Sequence, residues 1–250
     1  MVHYIYGYFS KPAKVLLSGR TGAGKSTLSL AFFRIIPLSG GSITIDGIDI
    51  STLGLEDLRS RLTIIPQDPI LFSGSLRSNL DPLSEHEDAA LWHALKRVRL
   101  LDSMQQNEDG ESSMSLESSV SEGGSNFSQG QRQLLCLARA LLRRNRIIFL
   151  DEATASVDND TDARIQETIR QEFVGSTILC IAHRLRTVID YDRILVLDSG
   201  QVSEFGSPLE LIERSPGGIF RKMVEETGEL EELLELARIA TSKGKDEDLS

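Results

Sequence analysis

The sequence contains little cysteine and no long apolar segment. Its two cysteines, Cys136 and Cys180, both lie within apolar runs, which favours buried thiols over a disulfide and indicates a cytosolic setting. No apolar run approaches the roughly 20 residues that a membrane-spanning helix needs. Residues 2–9 are aromatic but have no basic cluster before them, so they do not resemble a signal peptide. We expect a soluble chain that works at a membrane, if it does, through another chain or segment.

Positive charge is also in short supply. The chain has 27 lysine and arginine residues against 37 aspartate and glutamate residues, which gives a net charge of −10. Such an acidic surface argues against nucleic acid as the main partner. Hydrophobic residues make up 40% of the 250 residues and charged residues 26%. These values suit a soluble α/β domain with a sizeable core, or a core domain with a smaller lobe.

One glycine-rich stretch stands out near the N-terminus. It follows the apolar run at 15–17 and precedes an amphipathic run, which is the strand–loop–helix context of a phosphate-binding loop, or P-loop. The residues that match its pattern, G-x-x-x-x-G-K-[ST], together with the one that follows, are Gly19, Arg20, Thr21, Gly22, Ala23, Gly24, Lys25, Ser26 and Thr27. The alternative is a glycine-rich turn that binds nothing, and the full pattern in its full context argues against it.

The residue types of this loop suit nucleotide phosphates. Glycine lets the backbone adopt positive φ and approach phosphate oxygens closely. Successive N–H groups then point at the anion, with the start of a helix behind them. We expect Lys25 to reach the β- and γ-phosphates and the Ser26 hydroxyl to ligate Mg²⁺.

Apolar strands alternate with amphipathic helices along the rest of the chain. This order predicts an α/β fold with a mainly parallel sheet, and Asp46-Gly47 and Ser199-Gly200 add two hairpins. The alternating Tyr4, Tyr6 and Tyr8 predict a strand at the sheet edge, or else an aromatic that stacks on adenine. Two further helices are predicted from apolar stripes at Leu28, Ala31, Phe32 and Ile35, and at Ala90, Leu91, Ala94, Leu95 and Val98.

Polar residues follow the predicted strands at Gln67, Asp151, Glu152 and His183. In a parallel sheet these strand ends meet at one edge, beside the P-loop. Asp151 follows four apolar residues, as a Walker-B carboxylate does, and is expected to hold Mg²⁺ together with the Gln67 amide oxygen. Glu152 can polarise a water in line with the γ-phosphate, and His183 can donate to that phosphate. A structural histidine is the alternative for His183.

A second motif ends twenty residues before Asp151. Residues 126–131, Asn-Phe-Ser-Gln-Gly-Gln, place Ser128 as the N-cap of a helix and Gln131 at its third position, which is a capping box. The stretch also resembles the L-S-G-G-Q signature of ATP-binding cassette (ABC) proteins. Phe127 stands for the leucine and Gln129 for the first glycine, while the serine, second glycine and glutamine remain as Ser128, Gly130 and Gln131.

Other stretches extend this resemblance over residues 11–226. Residues 156–158 look like the D-loop of the family and residues 181–185 like its switch-histidine motif. Residues 67–82 look like the Q-loop stretch of exporters. This stretch and residues 121–128 are most similar to the second nucleotide-binding domain of the multidrug-resistance-associated (ABCC) subfamily. The adenine-stacking aromatic of the family has no assignable counterpart among the ten residues before Lys11.

The resemblance implies a RecA-like P-loop NTPase core, an antiparallel β portion and a helical subdomain carrying the signature. It places the cassette at residues 1–226, with the core at 1–75 and 140–226 and the helical subdomain at 76–139. The acidic remainder, 227–250, is expected to form a short amphipathic helix or, more commonly, a solvated charged segment.

By the same resemblance, two cassettes pair head to tail with ATP and Mg²⁺ between them. Each nucleotide lies between the P-loop of one cassette and Ser128, Gly130 and Gln131 of the other, with Asp158 nearby in the D-loop. Glu152 matches the catalytic glutamate. The remaining partners are the transmembrane domains of an exporter, at the cytosolic face of a plasma or vacuolar membrane.

Two functions are alternatives to the exporter ATPase. One is a truncated or remnant cassette that binds ATP with little or no turnover by itself, since no membrane-spanning domain is present. The other is an ABC ATPase of chromosome or repair type that acts on DNA. The acidic charge and the absence of heptads between the P-loop and the signature argue against the DNA-acting class.

Overall fold

The computed structural model describes residues 12–101, 114–151, 159–182 and 184–247. The predicted strand at Tyr4–Tyr8 and the predicted site residues Glu152, Asp158 and His183 lie outside these residues. The chain divides into two compact units. The first comprises residues 1–62, 146–152 and 176–250, and the second residues 63–145 and 153–175, as far as the structure describes them.

The elements follow one another in the alternation that the sequence predicts. The strands are β1 (Lys14–Ser18), β2 (Thr44–Ile45), β3 (Ile48–Asp49), β4 (Leu62–Ile65), β5 (Gly74–Ser75), β6 (Ser119–Val120), β7 (Ile147–Asp151), β8 (Thr177–Ile181), β9 (Arg193–Asp198) and β10 (Gln201–Gly206). The helices are α1 (Lys25–Phe32), α2 (Leu55–Ser60), α3 (Leu76–Leu80), α4 (Asp88–Arg97), α5 (Gln129–Arg143), α6 (Asn159–Glu172), α7 (Leu185–Val188), α8 (Pro208–Arg214), α9 (Ile219–Glu226) and α10 (Leu230–Glu247).

The first unit is built on a sheet whose strands lie in the order β10, β9, β1, β8 and β7. β10 pairs antiparallel with β9, and the pairs β9–β1, β1–β8 and β8–β7 are parallel. The two predicted hairpins are confirmed, since β2 pairs antiparallel with β3 and β9 with β10. The mainly parallel α/β fold of the sequence prediction is therefore confirmed.

The core of this unit forms where the apolar strands face the P-loop helix. Phe149 of β7 lies at its centre, with ring centroids 5.0 Å from Phe32 and 5.3 Å from Phe33. Val15, Leu17 and other strand residues complete the cluster. Near-continuous apolar strands are expected in a sheet that is covered on both faces.

The predicted stripe of α1 is wrong at Ile35. The helix ends at Phe32, and Ile35 is 59% exposed while Phe33 is buried. Arg34 adopts a left-handed conformation (φ 49°), which breaks the helical register. Its guanidinium donates to the Ile50 and Leu53 carbonyls, so the turn is held by partners that lie far along the sequence.

In the second unit, the apolar stripe of α4 is confirmed except at Ala90, which is exposed. α4 begins at Asp88, and Ala90 lies in its first turn on the outer face. The sequence prediction also missed α3, a short helix held by a capping box at Ser75. The signature helix, α5, carries a buried apolar stripe and packs against α4 and α6.

The acidic C-terminal segment forms α10, an 18-residue helix. Leu233 and Ala237 are buried, so the amphipathic alternative describes it better than a wholly solvated segment. Cys136 and Cys180 are both buried and are not joined in a disulfide, as predicted. Within the described residues, no helix has the length and apolar character needed to cross a membrane.

Candidate functional site

The P-loop follows β1 directly and has the backbone that its glycines predict. Gly19, Gly22 and Gly24 have φ values of 141°, 82° and 105°, which residues other than glycine rarely adopt. Inside the loop, the Ala23 N–H donates to the Arg20 carbonyl at 3.0 Å. The loop is therefore a tight turn whose conformation depends on its glycines.

The hairpin between β9 and β10 fixes this loop from behind. A Cβ atom built on Gly19 would lie 2.3 Å from the carbonyl oxygen of Leu197, and no side chain fits there. The Gly200 N–H donates to the Ala23 carbonyl at 3.1 Å. The sequence prediction assigned the P-loop glycines to positive φ and to phosphate approach, and it missed this steric demand at Gly19.

The start of α1 provides hydrogen-bond donors for an anion. Gly24 is its N-cap, and no described side chain caps this helix end. The first N–H groups of α1 therefore lack helical partners, and together with the helix dipole they favour an anion. The Lys25 ammonium donates to the Gly19 carbonyl at 2.7 Å and to the Arg20 carbonyl at 3.2 Å. Ser26 and Thr27 are exposed.

The sheet register brings Asp151 to the same edge as the P-loop. Leu17 of β1 and Asp151 of β7 both pair with Ile181 of β8, so the three residues form one row across the sheet. Gly19 starts the P-loop two residues beyond this row, as expected for an α/β ligand site.

The donor set fits Mg²⁺ bound together with a nucleotide. Among the described residues, no cluster of three or more histidine, cysteine, aspartate or glutamate side chains could hold a metal ion. Mg²⁺ in phosphate sites commonly takes one or two protein ligands and completes its shell with phosphate and water oxygens. Ser26 and Asp151, both in the first unit, carry oxygen atoms of the kind that Mg²⁺ takes as ligands. Gln67 lies in the second unit and is exposed.

The capping box at the signature motif is confirmed. The Ser128 hydroxyl accepts from the Gln131 N–H at 3.2 Å, and the Gln131 side-chain oxygen accepts from the Ser128 N–H at 2.9 Å. Because Ser128 uses its oxygen as an acceptor, its hydroxyl hydrogen is still available to donate. Phe127, which replaces the leucine of the family pattern, is 7% exposed, so its side chain packs into the core beside the motif.

Arg139, on the signature helix, binds a segment that sequence reasoning did not connect to it. Its guanidinium donates to the Asn79 carbonyl at 2.5 Å, the Ile70 carbonyl at 2.7 Å and the Asn79 side-chain oxygen at 2.9 Å. Asn79 also donates to the Phe72 carbonyl at 2.8 Å and accepts from the Phe72 N–H at 2.9 Å. Burial lowers the pKa of Arg139 and raises the pKa of the Cys136 thiol.

A P-loop between the first parallel strand and its helix, with a carboxylate two strands away at the same edge of the sheet, defines a P-loop nucleotide-binding protein. The comparisons with known proteins narrow this class. A family model described as "ABC transporter" matches residues 3–155. The chain belongs to the ABC transporter family.

Curated relatives agree on the subfamily. The chain is 53% identical over 236 residues to the pleiotropic ABC efflux transporter of multiple drugs YBT1 of Candida glabrata, covering 90% of this chain and 14% of that transporter. It is 55% identical over 215 residues to ATP-binding cassette sub-family C member 2 of Rattus norvegicus, covering 86% of this chain and 14% of that protein. These similarities identify an ABCC-type nucleotide-binding domain.

A solved structure supports the fold. A bacterial Atm1-family ABC exporter with ATP bound matches with a TM-score of 0.77 and 33% identity, covering 87% of this chain and 37% of that chain.

This chain spans about a seventh of the length of the two curated relatives. Membership of the family implies ATP binding and ATPase activity in general terms.

Proposed function

We propose that this chain is the ATP-binding and ATP-hydrolysing cassette of an exporter, in which ATP-driven pairing of two cassettes drives transport across a membrane. The observation that carries the proposal is the P-loop, with Lys25 and an uncapped helix start, on the same sheet edge as Asp151. Ser26 and Asp151 would hold Mg²⁺, which supplies charge neutralisation of the phosphates.

The assigned residues have distinct roles in this proposal. The glycines and N–H groups of the P-loop bind the phosphates, and Lys25 moves from the loop carbonyls to the β- and γ-phosphates. Glu152, directly after the Asp151 strand end, orients and deprotonates the attacking water, and His183 donates to the γ-phosphate. Gln67 adds a further ligand or water contact.

The partner cassette completes the site. Ser128, Gly130 and Gln131 would contact the γ-phosphate of an ATP bound to the P-loop of the partner cassette, with Asp158 at the interface. The helix start at Ser128 favours an anion for the same electrostatic reason as the start of α1. ATP then joins two cassettes, and hydrolysis releases them.

An exposed apolar surface is proposed to receive the transmembrane domains. Ile70, Phe72 and Leu83, all in the second unit, are 61%, 64% and 77% exposed. Exposed apolar side chains of this size are typical of interaction sites when they occur together in one region. The relative that is named as an efflux transporter of multiple drugs is about seven times as long as the matched segment, which leaves room for such domains. We accordingly propose that the chain acts at the cytosolic face of a membrane.

A titration with Mg-ATP tests the central proposal. Lys25→Ala removes a charged hydrogen bond to phosphate, and such bonds contribute about 1.5–3 kcal/mol, so the affinity is expected to fall roughly 10- to 100-fold. Lys222→Ala, at an exposed lysine of α9 in the same unit, is the control and should bind like the wild type. Equal binding by wild type and Lys25→Ala, or no binding by either, would contradict the proposal.

A phosphate-release assay separates the two remaining functions. Turnover of ATP by the chain, abolished by Lys25→Ala, supports a hydrolysing cassette. Binding without turnover, even at concentrations at which the cassettes pair, would instead support the cassette that only binds ATP.

A further inference from the structure

Gly130 of the signature motif lies against a residue of its own chain. It is the second residue of α5, and a Cβ atom built on it would lie 2.5 Å from the Cγ2 methyl of Thr161 and 3.5 Å from its Cβ and Oγ1 atoms. Cβ atoms essentially never approach another carbon to 2.5 Å, so an alanine could fit there only if Thr161 or the start of α5 moved.

Thr161 is poorly able to move aside. It lies in the first turn of α6, and a β-branched side chain in a helix has few allowed χ1 values. α6 is anchored to the second unit by Ile165 and Ile169, which are buried. On the other side, the first turn of α5 is fixed by the capping box of Ser128 and Gln131.

Helix propensity gives the opposite expectation for this position. Gly130 does not have positive φ, so its backbone is open to any residue. In a helix alanine is favoured over glycine. A destabilising effect of alanine at this position would therefore come from the contact and not from the backbone.

We propose that Thr161 is a positioning residue for the signature motif: its methyl group sets where the first turn of α5 lies, and thereby where Ser128 and Gly130 meet the nucleotide of the partner cassette. The effect on nucleotide binding between cassettes rests on the proposed function. The effect of Thr161 on the position of the α5 turn does not, and it can be tested without nucleotide. Thr161 stands three residues after Asp158, so the chain segment that follows the predicted D-loop directly contacts the phosphate-binding turn.

Hydrogen exchange tests the geometric part. The Arg132 N–H, which donates to the Ser128 carbonyl at 3.0 Å, reports on the first turn of α5. In Gly130→Ala its protection factor is expected to fall roughly tenfold, because overpacking of this kind opens the turn. In Gly130→Ala/Thr161→Ser the methyl group is removed and the hydroxyl kept, and protection should return to near the wild-type value. In Gly130→Ala/Thr161→Val the methyl group remains, and protection should stay low.

Nucleotide-dependent pairing tests the functional part. Sedimentation with Mg-ATP is measured for the same variants in a Glu152→Gln background, which is expected to slow hydrolysis. Pairing should be lost in Gly130→Ala, regained with Thr161→Ser and not regained with Thr161→Val. Each variant should bind Mg-ATP at its own P-loop like the parent, because the P-loop lies in the other unit.

Three results would overturn the inference. The first is wild-type protection and pairing in Gly130→Ala, which would mean that the Thr161 methyl group does not restrict this turn. The second is a loss of protection in Gly130→Ala that Thr161→Ser leaves unchanged, which would mean that the Thr161 methyl group is not what restricts this turn. The third is rescue by valine as well as by serine. Absence of Mg-ATP binding by the parent would count against the proposed function, while the exchange experiment would still decide the contact.

Discussion

The carbonyl oxygen of Leu197 lies 2.3 Å from the position that a Cβ atom on Gly19 would occupy. This contact joins β9 to the first residue of the P-loop, and Gly19 also has φ 141°. Gly22, three residues further on, has φ 82°, but an added Cβ there would meet no atom within 4 Å. A side chain would therefore strain the backbone at both positions, but it would meet another atom only at Gly19.

Gly19→Ala is expected to destabilise the fold much more than Gly22→Ala. A side chain at the left-handed φ of Gly22 costs about 1–2 kcal/mol, whereas at Gly19 the glycine-only φ and the backbone clash together add about 1–3 kcal/mol to that cost. Urea unfolding of both variants measures the difference. If both lose the same free energy of unfolding, the Leu197 contact has no energetic weight and only φ matters.

Local chemistry explains what could be predicted from the sequence. The P-loop and the capping box of Ser128 and Gln131 depend on residues within a few positions of one another, and β7 is an unbroken apolar run that ends at Asp151. Each of these features is complete within a short window. The register that places Asp151 level with the P-loop followed from the rule for parallel sheets and not from a motif.

Features that depend on distant partners could not be predicted. Ile35 continues the apolar period of α1, but the carbonyls that hold Arg34 in its left-handed turn come from a later loop. The Leu197 carbonyl that excludes a side chain at Gly19 and the Thr161 methyl group at Gly130 are equally invisible to a periodicity argument. In all these cases tertiary contacts outweigh local propensity.

Glu152→Gln is expected to retain Mg-ATP binding and to lose turnover. Glutamine keeps the size and an oxygen acceptor, but it cannot take a proton from the attacking water, and general-base catalysis contributes about 10²–10⁴-fold. Phosphate release and nucleotide titration are measured side by side. Glu225→Gln, at an exposed residue of α9, is the control and should hydrolyse at the wild-type rate. An unchanged rate in Glu152→Gln would remove this residue from the reaction.

Ser128→Arg is expected to leave Mg-ATP binding by this chain unchanged and to block ATP-driven pairing, because Ser128 faces the nucleotide of the partner cassette in the proposed function. The substitution also removes an N-cap, which costs about 0.5–2 kcal/mol of stability. Ser128→Ala loses the same cap without adding bulk, and Ser128→Thr keeps it. Sedimentation with Mg-ATP should therefore show pairing for threonine, weaker pairing for alanine and none for arginine. Normal pairing by the arginine variant would refute the role in trans.

Arg139→Lys is expected to destabilise the second unit by about 1–3 kcal/mol, because a lysine cannot span the three acceptors on Ile70 and Asn79 and leaves the partly buried Asn79 carbonyl short of a donor. Arg143→Lys, one turn further along α5 at an exposed position, should change stability by less than about 0.5 kcal/mol. Urea unfolding, monitored by circular dichroism, gives the free energy of unfolding of both variants. Similar small losses in both variants would mean that water replaces the missing donors.

The start of α8 should make stability depend on pH through Glu210. The Ser207 N–H donates to the Glu210 carboxylate at 3.0 Å, and this hydrogen bond holds the pKa of Glu210 below its ordinary value. A carboxyl whose pKa is lower in the folded state than in the unfolded state stabilises the fold above its unfolded pKa. That stabilisation is lost as the pH falls through the folded value.

Glu210→Gln keeps an oxygen acceptor in this capping box but does not titrate. The wild type should therefore be more stable than Glu210→Gln at about pH 6, by less than about 1 kcal/mol because the pair is solvent-exposed, and the difference should shrink towards zero at about pH 3. Urea unfolding across this range measures the trend. Repeating it in a Ser207→Ala background controls for the other half of the box, since the hydroxyl that caps the Glu210 N–H at 3.3 Å is then absent. A difference that grows on acidification would have the wrong sign for a lowered pKa and would contradict the assignment.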